Sequence, residues 1–376
     1  MSDRYVSYDF LPVEIVTNIL LRLPTKSLIT CICVCKTWKS LIQNPNFIST
    51  HLHLSINNNN HHLLFCHRSN NEVVYASALH NDDDFTQHTG FDFPLLGPEL
   101  KVYVVNTCNG LVCLCDYSST ITNELYFLWN PCVRRLVRLP SPNVTFQTHG
   151  DYYASIGFVF DSKTNDYKVV RVVDVFPKYR PLVEVYSLAT GEWRMVAALP
   201  PICSVVKGLL PPQIFVNKAL HWPAYRRSDD SKRHGGFILV FDLGDEVFCE
   251  ILLPEVPNFC TDSVFVYGNS VAFSQRTSLS LNIWVMKEYG VASSWTKVCT
   301  VSNQVLGKGI PFPIGFRRNG EVLYTAYEGQ LVVMDLENQK MKDLRIGLDW
   351  YEYKFVDSYV ESLVLLDKAA NVAVTY

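Results

Sequence analysis

Residues 10–51 read FLPVEIVTNILLRLPTKSLITCICVCKTWKSLIQNPNFISTH and stand in front of more than 300 residues patterned as strands. The stretch is short, apolar and helical in period. Pro12 suits the first position of a helix, where a missing N–H costs nothing. Glu14 falls in the first turn and favours the helix dipole. Ile15, Ile19, Leu20 and Leu23 then recur on one helical face. Pro24 ends that helix, because the residue before a proline is pushed out of the α region. Thr25 is placed to cap a second helix carrying Leu28, Ile29, Ile32 and Val34. Trp38, Leu41 and Ile42 give a third short stripe that ends near Asn44-Pro45. Three helices in about 40 residues make a poor core on their own. Such a head needs a partner or a neighbouring domain over its remaining apolar surface. A helical head on a large β body points to an adaptor that holds one partner at each end.

Composition narrows the classes. The chain has 376 residues, 48% of them hydrophobic, which is room for one large globular domain and a small one. A net charge of −3 gives no basic footprint for nucleic acid. The longest apolar runs, such as Phe237 to Phe241, have the length of a strand, far below the ~20 residues that cross a bilayer. No secretory leader is read at the N-terminus. The twelve cysteines are therefore expected as reduced thiols in the cytoplasm or nucleus. Cys31, Cys33 and Cys35 are expected on one helix, and Cys113 and Cys115 on one face of a strand. Neither spacing is that of a zinc site. Asn143-Val144-Thr145 matches a glycosylation acceptor, which requires secretion and is set aside. Ser55 to His62, with its asparagine run and histidine pair, reads as a polar surface linker. Asn81 to Asp84 reads as an acidic loop tip.

Beyond residue 63 the period is two. Lys101 to Val105, the turn signal Asn109-Gly110 and Leu111 to Leu114 form a hairpin. Pro313 to Leu344 reads as a meander of four short strands, turned at Asn319-Gly320, Glu328-Gly329 and Glu337-Asn338. That is the content of one propeller blade. Five strand cores share one pattern: Leu128-Trp129-Asn130-Pro131, Val185-Tyr186-Ser187-Leu188, Val240-Phe241-Asp242-Leu243, Ile283-Trp284-Val285-Met286 and Val333-Met334-Asp335-Leu336. They recur at roughly the 40–50 residues of a blade repeat. Several are followed by a further strand, as at Trp193 and Trp295. The lone glycine doublet, Gly235-Gly236, does not make a true kelch repeat.

The head resembles the F-box. The resemblance lies in Leu11-Pro12, Glu14-Ile15, Ile19-Leu20, Leu23-Pro24, Leu28, Val34-Cys35-Lys36 and Trp38. It implies docking onto an SKP-type adaptor, and through it onto a cullin scaffold with a RING protein. By the same resemblance Leu11, Pro12, Ile19, Leu20, Pro24, Leu28, Cys35, Lys36 and Trp38 form or support the adaptor-facing surface. The body is similar to the F-box-associated interaction domain of plants. That likeness is carried by Cys108 to Cys113, Leu128 to Pro131, Gly157-Phe158, Asp166 to Val170, Val185 to Leu188 with Trp193, Ala219 to Trp222, and Ile283 to Met286. The expected architecture is α+β and multidomain. A three-helix F-box spans 5–51, a polar linker 52–62, and a large all-β, propeller-like (kelch-like) domain 63–376. The implied role is substrate recognition in an SKP–cullin–F-box ubiquitin ligase, without a cofactor. A pollen self-incompatibility factor that recognises ribonucleases, or a non-ubiquitin scaffold, is the alternative.

Enzymatic chemistry has little support. No G-x-S-x-G, H-E-x-x-H, P-loop or dinucleotide fingerprint is present. Asp161, Asp166 and Glu184 could supply a carboxylate pair, but the first two flank a turn, where carboxylates are mostly structural. His221 beside Trp222 reads as a strand-end histidine rather than a base. Recognition is expected instead in loops at one rim. Arg226, Arg227 and Arg233 could fork acidic groups of a target. Tyr152, Tyr153, Tyr179 and Arg180 could anchor it, because Tyr and Arg dominate interface hot spots.

Overall fold

The computed structural model describes residues 11–58, 61–68, 74–80, 87–94, 102–116, 124–176, 180–205, 213–227, 233–254, 261–277, 280–302, 312–317, 320–325, 330–336, 338–347, 354–365 and 374–375. Its head holds four helices rather than three: α1 (Val13–Leu20), α2 (Thr25–Cys31), α3 (Lys36–Ile42) and α4 (Pro45–Asn57). Pro12 and Pro24 occupy the cap positions with extended backbone, so Thr25 lies inside α2, buried, and does not cap it. Asn44-Pro45 ends one helix and starts the next. The Asn44 side chain accepts from the Asn46 amide at 2.9 Å, and Pro45 fills the first turn of α4. α4 therefore carries the chain through residues 52–57, the first half of the expected linker, and buries Leu52. His61 and His62 belong to the first strand, not to a loop. Cys31, Cys33 and Cys35 do not share a helix: Cys31 ends α2, and the Cys35 sulfur caps α3 at 3.4 Å from the Trp38 amide. The acidic tip at Asn81 to Asp84 lies outside the described residues.

Six antiparallel sheets follow. The first joins β1 (His61–Arg68), β2 (Val74–His80) and β3 (Gln87–Phe91) to β25 (Lys354–Val360), from the far end of the chain. The second holds β4 (Val102–Cys108), β5 (Leu111–Asp116), β6 (Tyr126–Asn130) and β7 (Arg135–Arg138), with β26 (Val374–Thr375) on its edge. The third holds β8 (Tyr152–Asp161), β9 (Asp166–Val175), β10 (Leu182–Ser187) and β11 (Glu192–Met195). In the fourth, β12 (Cys203–Val205) and β13 (Ile214–Val216) both pair with β14 (Ala219–Arg227), followed by β15 (Arg233–Asp242) and β16 (Phe248–Leu252). The fifth holds β17 (Thr261–Tyr267), β18 (Ser270–Arg276), β19 (Ser280–Met286) and β20 (Trp295–Ser302). The sixth is the expected meander: β21 (Phe312–Phe316), β22 (Val322–Thr325), β23 (Gln330–Met334) and β24 (Met341–Gly347). Inner strands touch from blade to blade, β25 with β4, β4 with β8, β13 with β17, β17 with β21, and β21 with β25, and β9 meets β12 between the third and fourth blades. The result is a closed six-blade propeller, in which radial repetition leaves each blade only a short outer edge.

The five-fold sequence pattern marks the third strand of five blades, β6, β10, β15, β19 and β23. The tryptophan that follows two of them performs the same task twice. Trp193 on β11 donates its indole N–H to the Pro140 carbonyl at 2.8 Å, and Trp295 on β20 donates to the Leu252 carbonyl at 2.9 Å. Each ties an outer strand to the end of the preceding blade. Turn chemistry sets the hairpins: Asn109 and Gly110 both have positive φ, as a type I′ turn requires. Gly110 is also needed for space, because a Cβ there would lie 2.6 Å from the Val360 carbonyl. Gly235, with φ +41°, is the extra residue of a bulge opposite Tyr225 and Arg226, which accounts for the doublet without a kelch repeat.

The two rims differ. Cys108 at the end of β4 meets the Phe160 backbone near the end of β8, so the inner strands run the same way. Lys163 Nζ, in the turn after β8, donates to the Gly244 carbonyl, in the turn after β15, at 3.1 Å. Tight hairpin turns thus gather on one rim, and the connections between blades gather on the other. The head sits on the turn rim. Leu20, Leu28, Ile42, Phe47 and Ile48 pack in one cluster with Val133 of the β6–β7 turn and Leu363 just beyond β25.

Candidate functional site

The head has a covered side and an open one. Leu20, Leu28 and Ile42 are fully buried, each worth about 1.5–3 kcal/mol relative to exposure. Leu11, Val13, Ile15 and Ile19 lie roughly half exposed, and Val34, in the turn between α2 and α3, is 62% exposed. Ile15 and Ile19 are four residues apart on α1 and share a face. The nine residues singled out in this segment therefore divide. Leu11, Pro12, Ile19, Pro24, Cys35 and Lys36 are exposed, Trp38 is half-buried, and Leu20 and Leu28 are packed beneath. His51 is buried, and its Nε2 meets the Leu23 carbonyl at 3.0 Å, which binds α4 to the α1–α2 turn. Burial pulls the His51 pKa down against that hydrogen bond.

Beneath the head, Asn130 explains why the Leu-Trp-Asn-Pro motif carries an asparagine. It is completely buried at the end of β6. Its amide donates to the carbonyls of Ser362 at 3.1 Å and Val364 at 2.8 Å. Its carbonyl accepts from the Cys132 amide at 2.9 Å. One side chain thus fixes the β6–β7 turn and the segment after β25, and these are the two pieces that the head rests on.

The opposite rim carries the candidate recognition surface. Tyr153 opens β8 and is 48% exposed, and its ring stands edge-on to Phe176 at 5.3 Å. The Arg227 guanidinium lies 5.3 Å from the Phe176 ring, and the Arg227 amide reaches the Ile202 carbonyl. Ile202 is itself 45% exposed. Tyr153 and Arg227 are thereby brought together with Phe176 and Ile202, which sequence reasoning passed over. The signal for Phe176 was its place directly after a ten-residue strand and before a proline.

Arg226 corrects the expectation of a free fork. It is held bidentately by Glu250 and lies over the Phe237 ring at 5.0 Å. Tyr152 turns inward against Arg171, its ring 5.6 Å from the guanidinium. Arg180 is exposed on this rim, Tyr179 lies outside the described residues, and Arg233 opens β15.

The buried charges between the second and third blades are structural. Arg171 is fully buried, paired with fully buried Glu184 and with Glu124 at 2.6 Å. It also donates to the Val144 carbonyl at 3.2 Å and is ringed by Tyr126, Tyr152 and Trp193. Glu184 is thus no member of a carboxylate pair. Asp161 accepts from Lys168 and Thr164, both at 2.6 Å, and those bonds overcome burial to lower its pKa. Asp166 accepts from Ser187 and the Ala189 amide. His221 is buried with Nε2 2.8 Å from the Tyr289 hydroxyl, and burial lowers its pKa to about 4. These groups hold turns and blade contacts.

Comparison with known proteins agrees with this geometry. The F-box domain matches residues 9–50, and the F-box associated beta propeller domain matches residues 64–366. F-box protein CPR1 of Arabidopsis thaliana is 28% identical, with 94% of this chain and 89% of that protein covered. An F-box/kelch-repeat protein of the same plant is also 28% identical, covering 85% of this chain and 89% of its own.

Proposed function

The chain belongs to the plant F-box proteins whose body is an F-box-associated beta propeller, and we propose that it is the substrate-recognition subunit of an SKP–cullin–F-box ubiquitin ligase. The observation that supports this reading most is the division of the head. Its inner side is covered by Val133 and Leu363, while Leu11, Val13, Ile15 and Ile19 stay open. Ile15 and Ile19 share one exposed face of α1, and an apolar face left open on a small unit marks an interaction site. An SKP-type adaptor covers it in this reading, and cullin and RING proteins follow through the adaptor. The opposite rim then faces away from the adaptor, with Tyr153, Phe176, Ile202 and Arg227 as its anchors for a target protein. The subunit supplies proximity, holding a target lysine beside a charged conjugating enzyme. The cytoplasm or nucleus is its place of action in this reading.

Co-purification with an SKP-type adaptor tests it. Leu11→Asp/Ile19→Asp changes two exposed positions and leaves the packed side intact. The wild type is expected to form a stoichiometric complex, and the variant to lose at least ~3 kcal/mol, more than a hundredfold in Kd. A folded wild type that captures no adaptor overturns the reading.

A further inference from the structure

The propeller axis encloses a cavity of about 270 Å³, and each of the six blades contributes to its wall. Thr107, Phe158, Phe215, Phe265, Phe316 and Asp357 lie on its six inner strands, β4, β8, β13, β17, β21 and β25. Gln213, just before β13, lines it as well. Its polar groups are unbalanced. Three of the wall's donors are engaged with the wall itself. Thr107 Oγ1 donates to the Ser358 carbonyl at 2.8 Å, the Thr107 amide to Asn106 Oδ1 at 2.7 Å, and Gln213 Nε2 to the Val105 carbonyl at 3.1 Å. One neutral acceptor is left over, and one carboxylate is held by neutral donors alone. Gln213 is 3% exposed and its Oε1 has no partner. Asp357 Oδ1 accepts from the Ser358 amide at 2.7 Å, Oδ2 accepts from Thr107 Oγ1 at 3.4 Å, and the Thr107 amide also bonds the carboxylate. Among the described residues, no lysine, arginine or histidine lines the cavity to answer the carboxylate.

We propose that this channel is a binding site for a small organic cation, an amine whose N–H groups reach Asp357 and Gln213 and whose carbon skeleton rests against the apolar parts of the inner strands. Each feature of the wall fits that chemistry. A buried acceptor without a donor costs free energy that a ligand donor recovers. A carboxylate in a low-dielectric pocket attracts a cation more strongly than one in water. The site is independent of the adaptor surface, since the head takes no part in it.

Burial raises the Asp357 pKa to about 6, so the carboxyl is mostly ionised at neutral pH and becomes neutral below. Opposite it, β1 presents Leu64, β4 presents Thr107 and Cys108, and β21 presents Ile314 to Phe316. Cys108 is the other titratable group of these, and burial pushes its thiol up to about 12, so it stays neutral across this range.

Isothermal titration of the purified full chain tests the site with phenethylamine and n-butylamine as probes and 2-phenylethanol as the neutral counterpart. At least one amine is expected to bind one-to-one, with 2-phenylethanol at least tenfold weaker. Binding should weaken at least tenfold from pH 7.5 to 5. Asp357→Asn should lose at least tenfold in affinity with no fall in melting temperature. Should that variant not fold, Gln213→Leu is expected to weaken binding severalfold. Failure of both amines to bind, equal binding of the neutral alcohol, or undiminished binding by folded Asp357→Asn would overturn the proposal. Adaptor capture by the same preparations reports on the ligase reading separately.

Discussion

The head and the propeller handle their side chains in opposite ways. The head leaves leucine, valine and isoleucine open to solvent at positions 11, 13, 15, 19 and 34. The propeller takes even an arginine and its glutamate entirely out of water. The contrast follows from size and closure. A ring of six sheets has enough blade-to-blade surface to enclose an ion pair and satisfy it. Four short helices cannot enclose their own apolar residues, and what they leave uncovered is available to a partner. The body therefore takes charges out of water to hold its blades together, and the head exposes what it cannot bury.

The most severe way to break this contrast is at Arg171. Arg171→Met leaves Glu184 buried without a cation and strips half-buried Glu124 of its partner, and about 3–5 kcal/mol should be lost in urea unfolding. A loss under about 1 kcal/mol would mean that the network is not what organises the second and third blades. Next come neighbours on α1. Leu20→Ala empties a packed site and should cost about 2–5 kcal/mol. Ile19→Ala should stay within about 0.5 kcal/mol in stability while weakening adaptor capture. If both behaved alike, the head would not have two distinct sides. Asn130→Ala tests the seam between the regions. It removes several buried hydrogen bonds at about 1 kcal/mol each, and hydrogen exchange should quicken both at residues 361–365 and in the head. Exchange confined to the mutated strand would show that the seam does not couple them.

The smallest effect concerns pH. The folded-state pKa of His51 lies below its ordinary value, so its contribution is present above about pH 6.5 and is lost as pH falls further. Exchange protection in α4 should therefore weaken on acidification from neutral pH. His51→Gln should flatten that dependence, and a wild-type profile as flat as the variant's would remove His51 from the account.

Much of the fold was legible because local rules and global structure agree. The third strand of five blades repeats one pattern, since it faces the same neighbours each time and ends in the same kind of turn. The first blade could not join that series, because its strands come from both ends of the chain. His61 and His62 looked like loop residues because their strand partners, Tyr359 and Val360, lie at the other end of the sequence. α4 was hidden by Asn44-Pro45, which serves as a stop and as a start. On the crossover rim, residue type alone placed Tyr153 and Arg227 but misjudged Arg226, whose partner Glu250 is two strands away. The cavity on the axis left no trace in sequence, because its wall takes one short piece from each blade.

The first blade sets a schedule for the whole molecule. β1 waits for β25, about 300 residues later, and at ~5–20 residues per second a ribosome needs from about 15 s to a minute to supply it. During that interval the ring is an open arc, and the head still lacks Leu363, which covers its packed side. A message cut short before residue 354 would therefore yield a chain with an unclosed ring and a head short of part of its cover.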